Sequence, residues 1–287
     1  MKILITGYKG MLGSDLVETL KNENKHDLIL TDVENLDITN FNQVDEFLKK
    51  ETPELIINVA AYTDVDGCET NRNLAFNVNS IGPKNLAIVS NEINAKILHI
   101  STDYVFSGDS LKPYHEDDET DPNSYYGETK LQAELFIKEN TDNYFIIRTA
   151  WLYGFNGKNF VKTMLQLSKT NDKIMVVNDQ HGSPTFTKDL SMAISEIIKT
   201  DKYGIYHVTN SDNCTWYEFA KEIFELANIN INIVPVTTEE YPTPAKRPSY
   251  SVLSNEKWEN TGFKSLRSYK NALKNYMKIE LETKHKD

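Results

Sequence analysis

The chain has 287 residues, 39% hydrophobic and 25% charged, with 31 basic against 42 acidic side chains for a net charge of −11. That length suits one large α/β domain, or a nucleotide domain carrying a smaller second lobe. The acidity, with no cluster of basic residues, argues against a nucleic-acid partner, and no apolar run approaches the roughly 20 residues of a membrane helix.

Through residue 150, short β-rich runs alternate with amphipathic stretches: KILIT, 11–23, DLILTD, 41–50, ELIINVA, a long helical stretch near 72–93, AKILHIS and NYFIIRT. Such alternation predicts right-handed βαβ units and hence an α/β fold with a doubly wound, Rossmann-like parallel sheet. Beyond Trp151 the pattern loosens to a helix at 158–170, a strand IMVV, a helix at 187–199, a strand IYHV and a helix at 215–228. The segment YPTPAKRPSY is read as a structured loop, because proline removes a donor and restricts its predecessor. Residues 1–150 are therefore expected to form a dinucleotide-binding domain, completed by about 174–208, with 151–287 mainly a smaller C-terminal substrate-binding lobe. The tail ETKHKD is expected to fray.

The opening MKILITGYKG enters a strand without a signal core or transit helix, which points to the cytoplasm. Cys68 and Cys214 stand far apart and outside any C-x-x-C, so neither a disulfide framework nor a zinc site is suggested, and no metal site is read from ligand spacing.

Gly7, Gly10 and Gly13 form G-x-x-G-x-x-G between the strand KILIT and a helix. Gly7 permits the tight turn, Gly10 lets backbone approach a pyrophosphate, and Gly13 allows close helix packing, while the helix N-terminus supplies N–H groups and positive dipole. Met11 and Leu12 would add backbone contacts. Asp32 ends the second strand about 20 residues later, where a carboxylate accepts from an adenosine ribose, favouring NAD over NADP. Asp37, in NLDITN, either flanks the adenine or belongs to a helix N-cap region with Thr39 or Asn40.

Tyr126 and Lys130 in SYYGETK are spaced i,i+4, on one helical face. A lysine ammonium beside a phenol favours the phenolate, which would make the tyrosine a usable proton donor and acceptor near neutrality. That spacing alone describes many surface pairs. It gains weight from AKILHISTDYVFSG, an apolar strand ending in Ser101, Thr102 and Asp103 at the carboxyl edge, where open α/β sheets bind ligands. Thr102 could hydrogen-bond a reacting oxygen. His99 is read as a core histidine, and Gln180 and His181 in NDQHGSPT as non-catalytic.

GxxGxxG, INVAAYTDVD, STDYVF and YGETK together resemble the extended short-chain dehydrogenase/reductases. RTAWLYG, NDQHGSPT and YPTPAKRP narrow the resemblance, across nearly the whole chain, to the dTDP-4-dehydrorhamnose reductase family. That resemblance implies hydride transfer from NADPH or NADH to C4 of dTDP-4-dehydro-L-rhamnose, giving dTDP-L-rhamnose for cell-surface polysaccharide. Tyr126 would supply the proton, Lys130 would also bind the nicotinamide ribose, and Thr102 would stand where many relatives carry serine. Asp103 and Trp151 would contact the sugar. Ile38, Ala60, Ala61, Tyr62 and Thr63 would line the cofactor, and Arg247 would face the diphosphate unless it forms a surface salt bridge. A homodimer, and Mg2+ at a subunit contact, are implied by the resemblance alone.

Two other readings share these motifs. A nucleotide-sugar epimerase or dehydratase is one, although Tyr104 follows Asp103 where dehydratases carry glutamate. A non-catalytic NADP-binding regulatory subunit is the other.

Overall fold

The computed structural model describes residues 1–284. The run KILIT forms β1 (Lys2–Thr6), which turns at Gly7 into α1 (Met11–Asn22), β2 (Asp27–Thr31), α2 (Phe41–Glu51) and β3 (Leu55–Asn58). Two short helices, α3 (Val65–Thr70) and α4 (Arg72–Phe76), lead through a π turn at Asn77–Ile81 into α5 (Gly82–Glu92), so the expected long helix near 72–93 is broken by a wider turn. β4 (Lys96–Thr102), a 3-10 turn at Asp103–Val105, α6 (Tyr125–Asn140) and β5 (Tyr144–Thr149) follow. Asn40 caps α2 by accepting from the Gln43 backbone N–H, and Ser124 caps α6 through Gly127. Each satisfies one orphan donor of its helix.

The chain then alternates between two cores. β6 (Leu152–Tyr153), α7 (Phe160–Leu167), β7 (Lys173–Val177), β8 (His181–Gly182) and β9 (Thr185–Phe186) precede α8 (Thr187–Ile197) and β10 (Gly204–His207). β11 (Cys214–Thr215), α9 (Trp216–Ala227), β12 (Asn232–Val236), α10 (Glu256–Asn260) and α11 (Tyr269–Lys284) complete it. Residues 282–284 of the expected frayed tail are the end of α11, and 285–287 lie outside the described residues.

The main sheet is six-stranded and parallel, ordered β10-β5-β4-β3-β1-β2. Its central strands are buried on both faces, which is why they read as continuous apolar runs rather than alternating ones. Ile3, Ile5, Ile57, Leu98 and Ile147 pack with Leu16 and Leu20 of α1 and Leu190, Ile194 and Ile197 of α8. Leu4, Ile56, Ile97 and Ile146 face the other way, onto Val44 and Leu48 of α2, Leu86 and Val89 of α5 and Ile137 of α6.

Of the stretch 174–208, β10 joins the sheet beside β5 and α8 covers it, whereas β7 pairs with β12 outside it. A second core gathers Val161, Met164, Phe186, Phe219, Ile223, Leu273 and Tyr276. The chain leaves β1 to make β2 on one side and β3 on the other, so a crevice opens at the carboxyl ends of β1 and β3, the usual ligand position in such sheets.

Candidate active site

The glycine turn sits at that crevice. Gly7 has φ +71°, and a side chain there would meet the Ala60 backbone at 2.8 Å, so β1 and β3 approach too closely for any other residue. At Gly13 a Cβ would lie 2.3 Å from the Gly7 carbonyl oxygen, which confirms close packing of α1 on the turn. Gly10 differs, because its missing side chain would meet only the Gly7 carbonyl oxygen, at 3.2 Å, and the space in front of it is open. Gly10 is also the N-cap of α1 and makes no side-chain cap, so the first N–H groups of the helix remain for an anion.

A pocket of about 270 Å³ follows the turn, lined by Gly7, Gly10, Asp32, Asp37, Ile38, Ala60 and Ala61 together with Val59 and Val78. Met11, Leu12, Gly13, Tyr62 and Thr63 do not line it. The Met11 side chain instead reaches the second lobe, where its sulfur accepts from Asn159, and Leu12 is buried beneath the turn. Half-buried Asp32 receives the Val33 and Lys9 backbone N–H groups, and the Lys9 ammonium pairs with Glu34 at 2.9 Å. Asp37 accepts from the Thr39 N–H and hydroxyl, so it builds a turn at the pocket wall while Asn40 does the capping.

Asn79, in the π turn, was not singled out in the sequence. Its side chain accepts from the Tyr62 N–H at 2.8 Å and donates to the Tyr62 carbonyl and the Thr129 hydroxyl. It thereby ties the loop at residues 60–63 to α6. A buried asparagine aimed at backbone leaves no sequence signature beyond its polarity within a helical stretch, although π turns often mark functional sites.

Thr102 ends β4 and caps the 3-10 turn, accepting from Tyr104 N–H and donating to Asp103 Oδ1 at 2.9 Å. The other carboxylate oxygen, Asp103 Oδ2, is buried with no partner inside hydrogen-bond distance, although the Ser251 hydroxyl is close enough to act on the carboxyl. Burial pushes the Asp103 carboxyl up to about 6. A desolvated acceptor without a donor is a costly arrangement in a folded protein unless something else is meant to meet it.

Tyr126 opens α6 beside this group and packs edge-on against Tyr104, ring centroids 5.6 Å apart. Burial, reinforced by the nearby Asp103 carboxylate, raises the Tyr126 phenol above its ordinary value, and the Thr102 hydroxyl opposes this. The ammonium expected to lower it is turned away, since Lys130 Nζ donates to the Ile100 carbonyl at 2.6 Å and faces His99 Nε2 at 3.1 Å. Burial brings Lys130 down to about 8. The expected lowering of the Tyr126 phenol by Lys130 is therefore absent from this arrangement, and burial moves the phenol the other way, toward its protonated form.

Arg247, in the proline-rich loop, pairs with Asp66 at 2.9 Å, and its buried Nη1 has no hydrogen-bond partner. Its guanidinium also acts on the Tyr104 phenol, which burial raises. The loop is pressed onto the segment that follows the 3-10 turn, where a side chain at Gly108 would lie 2.3 Å from Pro248. Trp151, a bulky residue at φ +47°, stacks on Trp216 with centroids 3.4 Å apart and fills the space over Gly182. A left-handed tryptophan is strained and persists only where packing over-determines it, which suits a ligand wall. His181 joins the loop through backbone bonds with Ser249 and Ser251. His99 is fully buried, as read, but its neighbour is Lys130. Among the described residues no group of three or more His, Cys, Asp or Glu side chains could hold a metal ion, and no helix is long and apolar enough to cross a membrane.

The sequence profile described as the RmlD substrate binding domain matches residues 1–281. The chain is 42% identical to the spore coat polysaccharide biosynthesis protein SpsK of Bacillus subtilis, over 96% of each chain. Its fold is similar to a crystal structure of a dTDP-4-dehydrorhamnose reductase from Clostridium acetobutylicum, with a TM-score of 0.96, 48% identity and coverage of 98% of this chain and 100% of that one. It is similar also to dTDP-4-dehydrorhamnose reductase from Bacillus anthracis in complex with NADP, with a TM-score of 0.94, 44% identity and coverage of 97% and 99%. With a crevice built on a glycine turn and a threonine–tyrosine–lysine group at its edge, and with these matches running almost end to end, the chain belongs to the RmlD substrate-binding family.

Proposed function

We propose that this protein is an NAD(P)H-dependent reductase that converts dTDP-4-dehydro-L-rhamnose to dTDP-L-rhamnose by reducing the C4 keto group. The observation that carries the reading is Tyr126, its phenol raised by burial and set beside the hydrogen-bonded pair of Thr102 and Asp103 at the carboxyl end of β4. Two solved relatives bear the reductase name, and one of them holds NADP.

The residues present fit a dinucleotide. The open face of Gly10 and the free N–H groups of α1 would receive the pyrophosphate, and the pocket of Asp32, Asp37, Ile38, Ala60 and Ala61 the adenosine. Asp32 suits a ribose hydroxyl. Lys9, within the turn and paired at the surface with exposed Glu34, can swing to a 2′-phosphate, so both NADH and NADPH are accepted on this reading. When bound, the cofactor supplies the hydride to C4.

The chain's own residues do the rest. Tyr126 gives its proton to the oxygen that becomes the 4-hydroxyl, Thr102 orients that oxygen, and Lys130 holds a ribose hydroxyl and returns positive charge to the site as the phenol loses its proton. Asp103 Oδ2 accepts from a sugar hydroxyl, Trp151 walls the ring, and the unpartnered Nη1 of Arg247 meets the diphosphate. Tyr104 provides no carboxylate where an eliminating enzyme needs one. On this reading residues 1–150 with 187–208 bind the cofactor, the remainder binds the sugar nucleotide, and the enzyme works in the cytoplasm as a homodimer.

The test is oxidation of NADH and NADPH, followed by nicotinamide absorbance, with the dTDP sugar, the UDP-linked analogue and a blank without sugar. Rapid oxidation with the dTDP sugar is expected. Cofactor binding without oxidation would sink the reading.

A further inference from the structure

A row of buried polar side chains crosses the sheet beneath the crevice. β1, β3 and β4 are in register at Thr6, Asn58 and His99, so the three side chains leave the same face, and all are buried. Asn58 Oδ1 accepts from the Thr6 hydroxyl at 2.6 Å and from the Ala60 N–H at 3.2 Å. Two donors on one oxygen fix which end of the amide is which. Asn58 Nδ2 therefore donates to His99 Nδ1, 3.0 Å away. A ring nitrogen that accepts carries no proton, so the neutral imidazole keeps its hydrogen on Nε2. That N–H points at Lys130 Nζ. An N–H and an ammonium are both donors and cannot bond, whereas an N–H and a neutral amine can.

We propose that His99 is a positioning residue for the reduction: through Nε2–H it holds Lys130 as a neutral amine in the resting site, and Lys130 becomes an ammonium only as Nζ leaves His99 for the crevice. This rests on the role given above to Lys130. Burial lowers Lys130 and strongly disfavours imidazolium at His99, in each case the direction the geometry requires.

The other groups around Lys130 do not impose the opposite state. Glu134, one turn further along α6, favours the ammonium, but its oxygens are taken by Arg148 of β5 at 3.0 and 2.7 Å and by Ser101 of β4. From the π turn, Asn79 and Ser80 bond Thr129, and both are neutral. Tyr126 is a protonated phenol, and the Asp103 carboxylate acts on that phenol.

The first experiment reads the tautomer. Long-range proton–nitrogen correlation on the histidine-labelled protein without cofactor or substrate should show His99 neutral with its proton on Nε2 from pH 6 to 8, roughly the span in which an unperturbed histidine changes charge. A proton on Nδ1, or an imidazolium, would overturn the proposal. Because this needs no turnover, its failure and the failure of the reductase reading are told apart.

The second is His99→Gln, which places a carbonyl oxygen near the position of Nε2 and accepts from the ammonium. The alkaline limb of kcat/KM, which reports the unloaded site, should move up by about one pH unit or more, a tenfold or larger change in the proton affinity of Lys130. A limb at the wild-type pH would overturn the proposal, and should the variant not fold, the tautomer decides.

Discussion

Asp103 shows how much a single residue at this site costs the fold. Its carboxyl titrates at about 6 because burial disfavours the charged form, so the folded chain binds this proton more tightly than the unfolded chain does. Between about pH 4 and 6, stability therefore falls as pH rises, and above 6 the full penalty is present. Asp103→Asn removes it while keeping an oxygen for Thr102. The variant is expected to melt several degrees higher than wild type at pH 8, with the difference closing by about pH 4, where both side chains are neutral. A constant difference across that range, read by thermal melts, would show that ionisation is not its source. Tyr126→Phe tests the chemistry instead. Turnover should fall at least ~100-fold, the usual lower range for loss of a general acid, while cofactor affinity measured by fluorescence titration stays near wild type. Near-normal turnover would move the proton donor elsewhere.

At the scale of elements, the turn between β1 and α1 separates two kinds of glycine. Gly13→Ala drives a methyl group into the Gly7 carbonyl, so it should cost about 1–3 kcal/mol and weaken the cofactor together with the fold. Gly10→Ala meets nothing so close, so its melting temperature should stay near wild type while its dissociation constant for NADPH rises. Equal melting losses in the two variants would refute this division.

The glycine turn was legible because it needs only local spacing, whereas the Tyr126–Lys130 pair gained weight only from the strand that ends in Ser101, Thr102 and Asp103. What lay hidden depends on contacts across the chain. β7 reads as a fine strand from Ile174 to Val177, but nothing local tells it to pair with β12 rather than with the main sheet. Lys130 sits correctly for an i,i+4 partner of Tyr126, yet the position of its ammonium is decided by His99 and a β4 carbonyl. Arg247 has the chemistry of a phosphate ligand, and only the fold reveals that Asp66 holds it. α10 and α11 carry no assignment from the sequence at all, although Ala272, Leu273, Tyr276 and Met277 lie at helical spacing and fill the second core.

For the whole molecule, the two cores are interleaved along the chain. α8 and β10 belong to the first core, yet they are made after α7 and before α9, both of which belong to the second. A fragment of residues 1–150 would thus lack the cover over Leu16, Leu20, Phe145 and Ile147. At roughly 1.5–3 kcal/mol for each such side chain, that loss rivals the 5–15 kcal/mol by which ordinary domains are stable. The fragment should show no cooperative urea transition by circular dichroism, whereas 1–208 joined through a short linker in place of 151–186 should recover one. Cooperative unfolding of 1–150 would show that the first core is self-sufficient.

The tryptophan stack gives this interleaving an optical signature. Of the three tryptophans in the chain, Trp258 lies in the first core, while Trp151 and Trp216 are stacked at 3.4 Å against the second. Two indoles that close couple their electronic transitions and produce a paired band of opposite signs in circular dichroism, a signal that Trp258, packed on Phe263 and Tyr206 rather than on a second indole, cannot make. The couplet therefore reports on the packing of the second core alone, without a contribution from the first.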